Sequence, residues 1–346
     1  MKFKCNRDDF MSAISIAQRA VSTRTTLPIL SGILISALDG MVCMTATDLE
    51  MGIECRFTCD VEDPGNTVVS ARLLGEIIRK LPERDVEFYV GETNKITVKS
   101  GKSVFNLLGM DPHDFPPFPE VREHDIAVLP ADLLKNMIRK TGYAVSLDQI
   151  KRVLTGEYLK IKPDELEMVA LDGYRIAMCR ARTHGSEEER EFIIPGRTMN
   201  ELAKMIGGPE ETINISTCEN EIMFEFGSVR VVSRLIAGSY INYMNFIPNK
   251  FQLEVDIDAL AFRDALERAF LMAKEGNNLI KITVTDKIII TSNSDIGDVY
   301  EELPVLECRG SDLEIAFNCT YLMDAVKSID SETITLKFVE SAGPCL

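Results

Sequence analysis

The chain has 346 residues, of which 45% are apolar, and this is enough apolar sequence to bury a substantial core. The formal net charge of −16 argues against a protein that binds nucleic acid through its total charge. No N-terminal stretch joins a basic head to an apolar core, and no apolar run could span a bilayer, so we expect a soluble, cytoplasmic protein. The nine cysteines include no Cys-x-x-Cys pair and are expected to be reduced core thiols.

In the first third of the chain, the pattern predicts two helices, each followed by strands. The first helix carries Phe10, Ile14 and Ala17, and a strand at residues 32–38 comes after it. The second helix begins at Ser70, with apolar residues at i, i+3, i+4 and i+7: Leu74, Ile77, Ile78 and Leu81. Alternating apolar and polar residues then predict strands at residues 86–90, 96–99 and 104–108.

The same order of elements recurs twice along the chain. The central third has a helix carrying Leu134, Ile138 and Thr141, a strand at 157–161, a helix from Pro195 and strands at 213–216, 222–226 and 229–235. The last third has a helix carrying Phe262, Leu266 and Ala269, a strand at 280–285, a helix from Asn318 and a strand at 334–338. The helices from Ser70, Pro195 and Asn318 align without a gap, so the chain contains one unit three times.

The repeat predicts the fold class and the domains. The copies begin roughly 125 residues apart, which suits whole domains better than solenoid units. We expect an α+β fold of three repeated domains, at residues 1–122, 123–250 and 251–346, each with two helices packed on antiparallel sheets. The third repeat reaches Leu346 before any counterpart of the strands at 104–108 and 229–235, so the third domain is expected to be incomplete at its C-terminal end.

Signatures of catalysis are absent from the sequence. The segment Ser100-Gly101-Lys102-Ser103 lacks the earlier glycine of a phosphate-binding loop and is predicted to be a hairpin turn. His113, His124 and His184 have neither metal-ligand spacing nor a partnered nucleophile. We therefore predict no catalytic residue, no metal, no cofactor and no enzymatic activity.

The charge is distributed unevenly between the helices and the rest of the chain. The six predicted helices together carry about four more basic than acidic residues, although the whole chain is strongly acidic. A surface that collects these helices can be basic on an acidic molecule. The alternative is that the basic side chains only keep ordinary amphipathic helices soluble.

Six short segments give the chain a resemblance to a known family. They are Met1-Lys2-Phe3, the run from Thr26 to Leu30, the run from Thr45 to Glu50, Asp114-Phe115-Pro116, the run from Asp172 to Ala177, and Phe317-Asn318. Together they resemble the bacterial DNA polymerase III beta subunit, the β sliding clamps, along the whole chain. The resemblance implies a homodimer closed into a ring, with helices lining the hole and double-stranded DNA passing through it. It also implies partners that include the DNA polymerase III alpha subunit, the clamp loader and other proteins with clamp-binding motifs, and no membrane.

The resemblance and the helix placement together give a candidate DNA-binding set. Arg24 matches a DNA-contacting arginine of the family, and Lys151 and Arg152 lie on a loop that approaches DNA in the family. The remaining candidates lie on the predicted helices: Arg72, Arg79, Lys80, Lys135, Arg139, Arg197 and Lys204. For each of them, a solvated surface charge remains the alternative.

The resemblance also places a ring seam and a peptide pocket. The seam is expected to join a basic edge to an acidic edge, with the residues Lys95, Lys102, Phe105, Leu107, Leu271, Met272, Asp295, Asp298 and Glu301. The pocket binds motifs such as Gln-Leu-x-Leu-Phe in the family, and its matching positions are Leu154, Leu171, Gly173, Tyr174, Arg175, Ile176, Ile241, Phe246 and Pro344. Leu171 and Ile241 make this pocket more apolar than is usual, and core packing is the alternative for Leu154 and Ile176.

One further expectation and two alternative functions follow from the same sequence. By the resemblance, the strand expected after Leu346 walls the pocket, so the chain without it is expected to bind such peptides more weakly and to melt at a lower temperature. A DNA-independent interaction scaffold on the same fold is the alternative function. A hydrolase or nucleotidyl transferase with a divergent site is a third, for which no motif was found.

Overall fold

The helices follow the predicted repeat. A computed structural model describes residues 1–22, 25–119, 125–183, 188–208 and 211–346. Its α-helices are α1 (Arg7–Ala17), α2 (Ala71–Arg79), α3 (Ala131–Thr141), α4 (Gly196–Met205), α5 (Ala259–Ala273) and α6 (Cys319–Lys327). The aligned helices α2, α4 and α6 begin directly after Ser70, Pro195 and Asn318, so the predicted starts are confirmed.

The strands also fall into three series. The first is β1 (Lys2–Asn6), β2 (Gly32–Leu38), β3 (Met41–Thr47), β4 (Met51–Thr58), β5 (Asp60–Asp63), β6 (Gly65–Ser70), β7 (Asp85–Val90), β8 (Lys95–Ser100) and β9 (Ser103–Leu108). The second is β10 (Asp125–Pro130), β11 (Gly156–Ile161), β12 (Glu165–Leu171), β13 (Ile176–Arg182), β14 (Arg190–Pro195), β15 (Thr212–Cys218), β16 (Glu221–Phe226) and β17 (Val229–Arg234). The third is β18 (Leu253–Asp258), β19 (Leu279–Val284), β20 (Lys287–Ser294), β21 (Gly297–Pro304), β22 (Glu307–Gly310), β23 (Leu313–Asn318) and β24 (Thr333–Phe338).

Each series begins with a strand that the sequence pattern did not predict. These strands, β1, β10 and β18, precede the first helix of their repeat and pair antiparallel with β7, β15 and β24. Phe3 of β1 lies opposite Phe88 of β7, for example. The strand after the second helix therefore returns to the start of its own repeat and closes it.

One compact unit contains Met1–Ile138, Ile150–Met168 and Arg180–Gly238. It holds a five-stranded sheet in the order β5-β1-β7-β8-β9 and an eight-stranded sheet in the order β10-β15-β16-β17-β4-β3-β2-β6. In the larger sheet, Val231 of β17 lies opposite Ile53 of β4, so strands of the first two repeats form one continuous sheet. In the five-stranded sheet, the buried rings of Phe3 on β1 and Phe88 on β7 stack with their centroids 4.9 Å apart.

The other compact unit contains Arg139–Gln149, Val169–Cys179 and Ser239–Leu346. It holds a three-stranded sheet, β22-β18-β24, and a four-stranded sheet, β21-β20-β19-β23. Its main core forms where Phe262 and Leu266 of α5 pack on the strands. A further four-stranded sheet has the order β13-β12-β11-β14.

The amphipathic pattern of the aligned helices matches their burial, although unevenly. In α2 and just after it, Leu74, Ile77, Ile78 and Leu81 are all buried. At the equivalent positions of the third repeat, only Val326 is buried, and Ile329 is exposed. Side chains cap several helices, as where Asp258 Oδ1 accepts a hydrogen bond of 2.7 Å from the Ala261 backbone N–H.

The cysteines are all free thiols, as expected, but few of them are core residues. Cys55 and Cys319 are buried, Cys308 is exposed and the other six are half-buried. Burial raises the pKa of the Cys319 thiol to about 11 and that of the half-buried Cys43 to about 11, so both are protonated at neutral pH. The expectation of a wholly core location was wrong, because sheet edges and ends also hold cysteines.

Candidate functional site

The cations of α2 are the most open of the candidate set. Arg72, Arg79 and Lys80 are exposed, and Arg72 Nη1 lies 3.7 Å from Glu76 Oε1 one turn further along the helix. Arg79 and Lys80 have no carboxylate partner within the part of the chain that the structure describes. This helix therefore presents positive charge to solvent at its C-terminal end, where the helix dipole also favours cations.

The cations of α3 are all engaged. Lys135 Nζ donates a hydrogen bond of 2.9 Å to the backbone oxygen of Ile206, just beyond α4. Arg139 Nη2 donates to both carboxylate oxygens of Asp330, at 2.6 and 2.5 Å, and Lys140 Nζ lies 3.2 Å from the same group. The hydrogen bond from Lys140 and the charge of Arg139 lower the pKa of Asp330, so this carboxylate is ionised at neutral pH.

On α4, the candidate cations have acidic partners. Arg197 pairs with Asp48, which also accepts hydrogen bonds from the backbone N–H groups of Glu50 and Met51. Lys204 Nζ and Arg19 Nη1 each lie 2.7 Å from one oxygen of Glu201. Burial alone would raise the pKa of Glu201, but these two cations outweigh it and lower the pKa.

The loop candidates differ from one another. Lys151 is exposed and has a non-helical backbone within a short 3₁₀ segment at Gln149–Thr155. Arg152 Nη2 lies 3.8 Å from Glu50 Oε2. Arg24 lies outside the described residues, so its predicted DNA contact stays a prediction.

The predicted pocket positions include both buried and open side chains. Leu154 and Leu171 are only 2% and 5% exposed, and Ile176 and Ile241 are half-buried, so core packing accounts for Leu154. Tyr174 is 84% exposed and Phe246 is 60% exposed, and Pro344 is exposed as well. Gly173 has a φ of +97° in the tight turn between β12 and β13, a conformation that favours glycine.

Arg175 lies at the centre of a cluster that the sequence did not reveal. Its Nε donates 3.0 Å to Asp172, its Nη1 donates 2.7 Å to Asp324, and its Nη2 donates 2.7 Å to the backbone oxygen of Tyr143. The guanidinium also lies over two rings, 4.4 Å from the centroid of Tyr321 and 5.2 Å from that of Tyr143. Burial opposes the charge of Arg175, but the ion pairs with Asp324 and Asp172 raise its pKa, so it stays charged.

This cluster makes Arg175 a cross-link within its unit. Asp172 and Arg175 lie on one turn, Tyr143 follows α3, and Tyr321 and Asp324 lie on α6. No local sequence signal predicts the whole cluster, because Arg175 and Asp324 are 149 residues apart in the sequence. Two local spacings of three residues were available as hints, that of Asp172 and Arg175 and that of Tyr321 and Asp324 on one helix.

The residues predicted for the seam lie on two open sheet edges. In one unit, β9 is the last strand of its sheet, with Phe105 partly exposed, Leu107 half-buried, and Lys95 and Lys102 exposed nearby. In the other unit, β21 is the last strand of its sheet, Asp298 and nearby Asp295 are exposed, and Leu271 at the end of α5 is 54% exposed. Met272 is half-buried and lies beside Gly297.

One member of the acidic edge is already paired within the chain. Arg268 donates two hydrogen bonds, of 2.8 and 2.7 Å, to the carboxylate of Glu301. This hydrogen bonding lowers the pKa of Glu301. Glu301 therefore offers less free charge to a basic partner edge than Asp295 and Asp298 do.

The described residues hold no group of three or more metal-binding side chains, and no helix among them is long and apolar enough to cross a membrane. Gly101 and Lys102 form the turn between β8 and β9, with Ser100 opposite Ser103, so the hairpin prediction is confirmed. His113 is exposed, and His124 and His184 lie outside the described residues.

Comparison with known families covers almost the whole chain. Three family models match in order: the N-terminal domain of the DNA polymerase III beta subunit at residues 1–119, its central domain at 128–242 and its C-terminal domain at 244–346. The chain belongs to the DNA polymerase III beta subunit family. The predicted family resemblance is thus confirmed, and so is the α+β fold of three repeated clamp domains.

The chain aligns with individual members of this family over nearly their full length. The beta sliding clamp of Staphylococcus aureus is 36% identical over 355 aligned residues, covering 99% of this chain and 94% of the relative. The crystal structure of the DNA polymerase sliding clamp from Bacillus subtilis superimposes with a TM-score of 0.95 at 34% identity, covering 100% of this chain and 94% of that one. The Pseudomonas aeruginosa DNA polymerase III beta subunit gives a TM-score of 0.92 at 27% identity, covering 100% and 95%.

Proposed function

We propose that this chain is a sliding clamp, a non-catalytic processivity factor that encircles duplex DNA and tethers the replicative polymerase to it. The observation that carries the proposal is the collinear match of three clamp domains along the whole chain. The function needs no metal and no cofactor, because a ring holds DNA by topology and leaves the chemistry to its partners. The proposed domain boundaries are residues 122 and 250.

The DNA-facing surface is assigned to the basic side chains on the helices and on the 3₁₀ loop. Among the described residues it comprises Arg72, Arg79, Lys80, Lys135, Arg139, Lys151, Arg152, Arg197 and Lys204, and the family resemblance adds Arg24. Long, mobile cations attract phosphates from a distance, and phosphates carry no sequence information. A surface of this kind holds duplex DNA without fixing it at one sequence, which is what sliding requires.

The ring is assigned to a head-to-tail homodimer. The open edge of β9 and the open edge of β21 each present unpaired backbone groups and exposed apolar side chains. Lys95 and Lys102 lie near the first edge, and Asp295 and Asp298 near the second, so the two edges attract each other and repel their own kind. Two such seams in a dimer leave neither edge open.

The peptide-binding surface is assigned to the turn between β12 and β13 and to Ile241, Phe246 and Pro344 of the same compact unit. Tyr174 and Phe246 supply large exposed apolar surface there, with Ile241 and Pro344 as further members. Exposed aromatic side chains of this kind are typical anchors for short apolar motifs. The proposed partners are the DNA polymerase III alpha subunit, the clamp loader and other proteins with motifs such as Gln-Leu-x-Leu-Phe, all in the cytoplasm.

A charge reversal on the loop tests the DNA-facing surface. We expect Lys151→Glu/Arg152→Glu to lower the fraction of protein retained on nicked circular DNA after loading, because each reversal replaces attraction to a phosphate with repulsion. The ring should stay folded, since exposed charges contribute little to stability. Retention is measured by gel filtration of the DNA complex at low and moderate salt.

The matched control changes the same charge elsewhere. Lys250→Glu/Lys281→Glu also exchanges two exposed lysines for acids, one beyond β17 and one on β19. We expect this control to be retained like the unmodified protein. Equal retention of both double variants at low salt would remove Lys151 and Arg152 from the DNA-facing surface.

A further inference from the structure

We propose that Asp330 attenuates DNA binding by competing with DNA phosphates for two cations of the DNA-facing surface, Arg139 and Lys140. Asp48 and Glu50 act in the same way on Arg197 and Arg152. The inference rests on the proposed function, because it concerns how tightly the ring holds the duplex. It assigns a role to acidic residues whose negative charge would otherwise repel the phosphates of DNA.

The strongest observation is the geometry at Asp330. Both of its carboxylate oxygens accept hydrogen bonds from Arg139 Nη2, and Lys140 Nζ lies 3.2 Å away. The carboxylate is nevertheless 57% exposed, so solvent and incoming phosphates reach the same cations. A single acid thus pairs with two neighbouring bases at an accessible position and offsets one of their two positive charges.

The fold, and not local sequence, brings these partners together. Asp330 and Arg139 are 191 residues apart, and Asp48 and Arg197 are 149 residues apart. Pairs that only keep a helix soluble are expected three or four residues apart, as Arg72 and Glu76 are. Long-range pairing at two separate places in the chain points to a property of the assembled surface.

Asp48 differs from Asp330 in how it is held. Its side chain is only 8% exposed, and it accepts hydrogen bonds from two backbone N–H groups as well as from Arg197. It is therefore fixed in place, whereas Arg197 is more than half exposed. An incoming phosphate must draw this arginine away from a carboxylate that cannot follow it.

Competition of this kind keeps the net gain from each phosphate contact small. An exposed ion pair contributes little net free energy, and a phosphate that replaces the carboxylate restores a similar amount. Arg79, Lys80 and Lys151, which have no carboxylate partner among the described residues, still supply the long-range attraction. The ring then holds DNA loosely at each contact, and moving by one phosphate exchanges nearly equal interactions.

The test compares two neutralising variants of equal charge. Asp330→Asn removes one negative charge beside Arg139 and Lys140. Glu314→Gln removes one from an acid that is also 57% exposed but pairs with Lys281 on β19. Binding of each to a short fluorescent DNA duplex is followed by anisotropy from low to moderate salt, with the chain in its dimeric form.

We expect Asp330→Asn to bind roughly three- to tenfold more tightly than Glu314→Gln at low salt, with a slope of log K against log salt steeper by about 1–2. In an Arg139→Gln/Lys140→Gln background, Asp330→Asn should have no further effect, because its target cations are gone. The salt slope separates this role from a purely structural one, since a loss of packing alone would not steepen it.

Two results overturn the inference in different ways. If the unmodified chain binds the duplex with the expected salt dependence but Asp330→Asn matches Glu314→Gln, the inference fails alone. If the unmodified chain shows no salt-dependent binding at all, the proposed DNA-facing surface fails and the inference fails with it.

Discussion

At the scale of single residues, Arg175 illustrates what the sequence could and could not reveal. Its position in a family motif marked it as a candidate for peptide binding. The structure adds that it is largely buried, pairs with Asp172 and Asp324, and lies over the rings of Tyr143 and Tyr321. All of these partners except Asp172 are distant in sequence, and a long-range cluster has no periodicity from which it could be predicted. Arg175 therefore has a structural role whatever it contributes to a peptide.

Replacing Arg175 should destabilise the unit that contains it. We expect Arg175→Gln to lower the free energy of unfolding by about 2–3 kcal/mol, because it leaves two partly buried carboxylates short of a partner. The measurement is urea unfolding followed by far-UV circular dichroism. Arg263→Gln is the control, since Arg263 is more exposed and lies 3.8 Å from its sequence neighbour Asp264, and it should change stability by less than about 0.5 kcal/mol. Equal midpoints for the two variants would show that the Arg175 cluster contributes no stability.

At the scale of helices and strands, periodicity predicted most elements. The helices from Ser70, Pro195 and Asn318 and the strands that follow them lie where the apolar pattern placed them. The opening strands β1, β10 and β18 were missed. They are short, and their pairing with β7, β15 and β24 joins residues roughly 80 positions apart, which a local pattern does not record.

The open edges of β9 and β21 give a prediction at this scale. We expect Leu271→Ala/Met272→Ala to shift the dimer toward monomer, because apolar side chains at the centre of an interface usually carry most of its energy. Sedimentation equilibrium at low protein concentration measures the shift. Leu260→Ala is a suitable control, since Leu260 is also an exposed leucine of α5 but lies at its other end. A dimer of undiminished affinity in the double variant would remove this pair from the seam.

At the scale of the whole molecule, the sequence predicted three repeats but not how they join. Strand β17 of the second repeat pairs with β4 of the first, so an eight-stranded sheet runs across both. Nothing in either strand identifies its partner, because any edge strand offers the same backbone groups for pairing. The joining of repeats is a property of edges that meet only in the folded chain. The same principle, applied between two chains, underlies the proposed ring.

The measurement that tests the central claim most directly is retention on DNA before and after one cut. The chain is loaded on nicked circular DNA by a clamp loader, the free protein is removed, and half of the sample is linearised with a restriction enzyme. A ring that encircles the duplex stays on the circle and leaves the linear molecule through its ends, and it stays on linear DNA whose ends are blocked by bound protein. Equal retention on circular and open linear DNA would contradict encirclement, and no retention on either would favour a DNA-independent scaffold on the same fold.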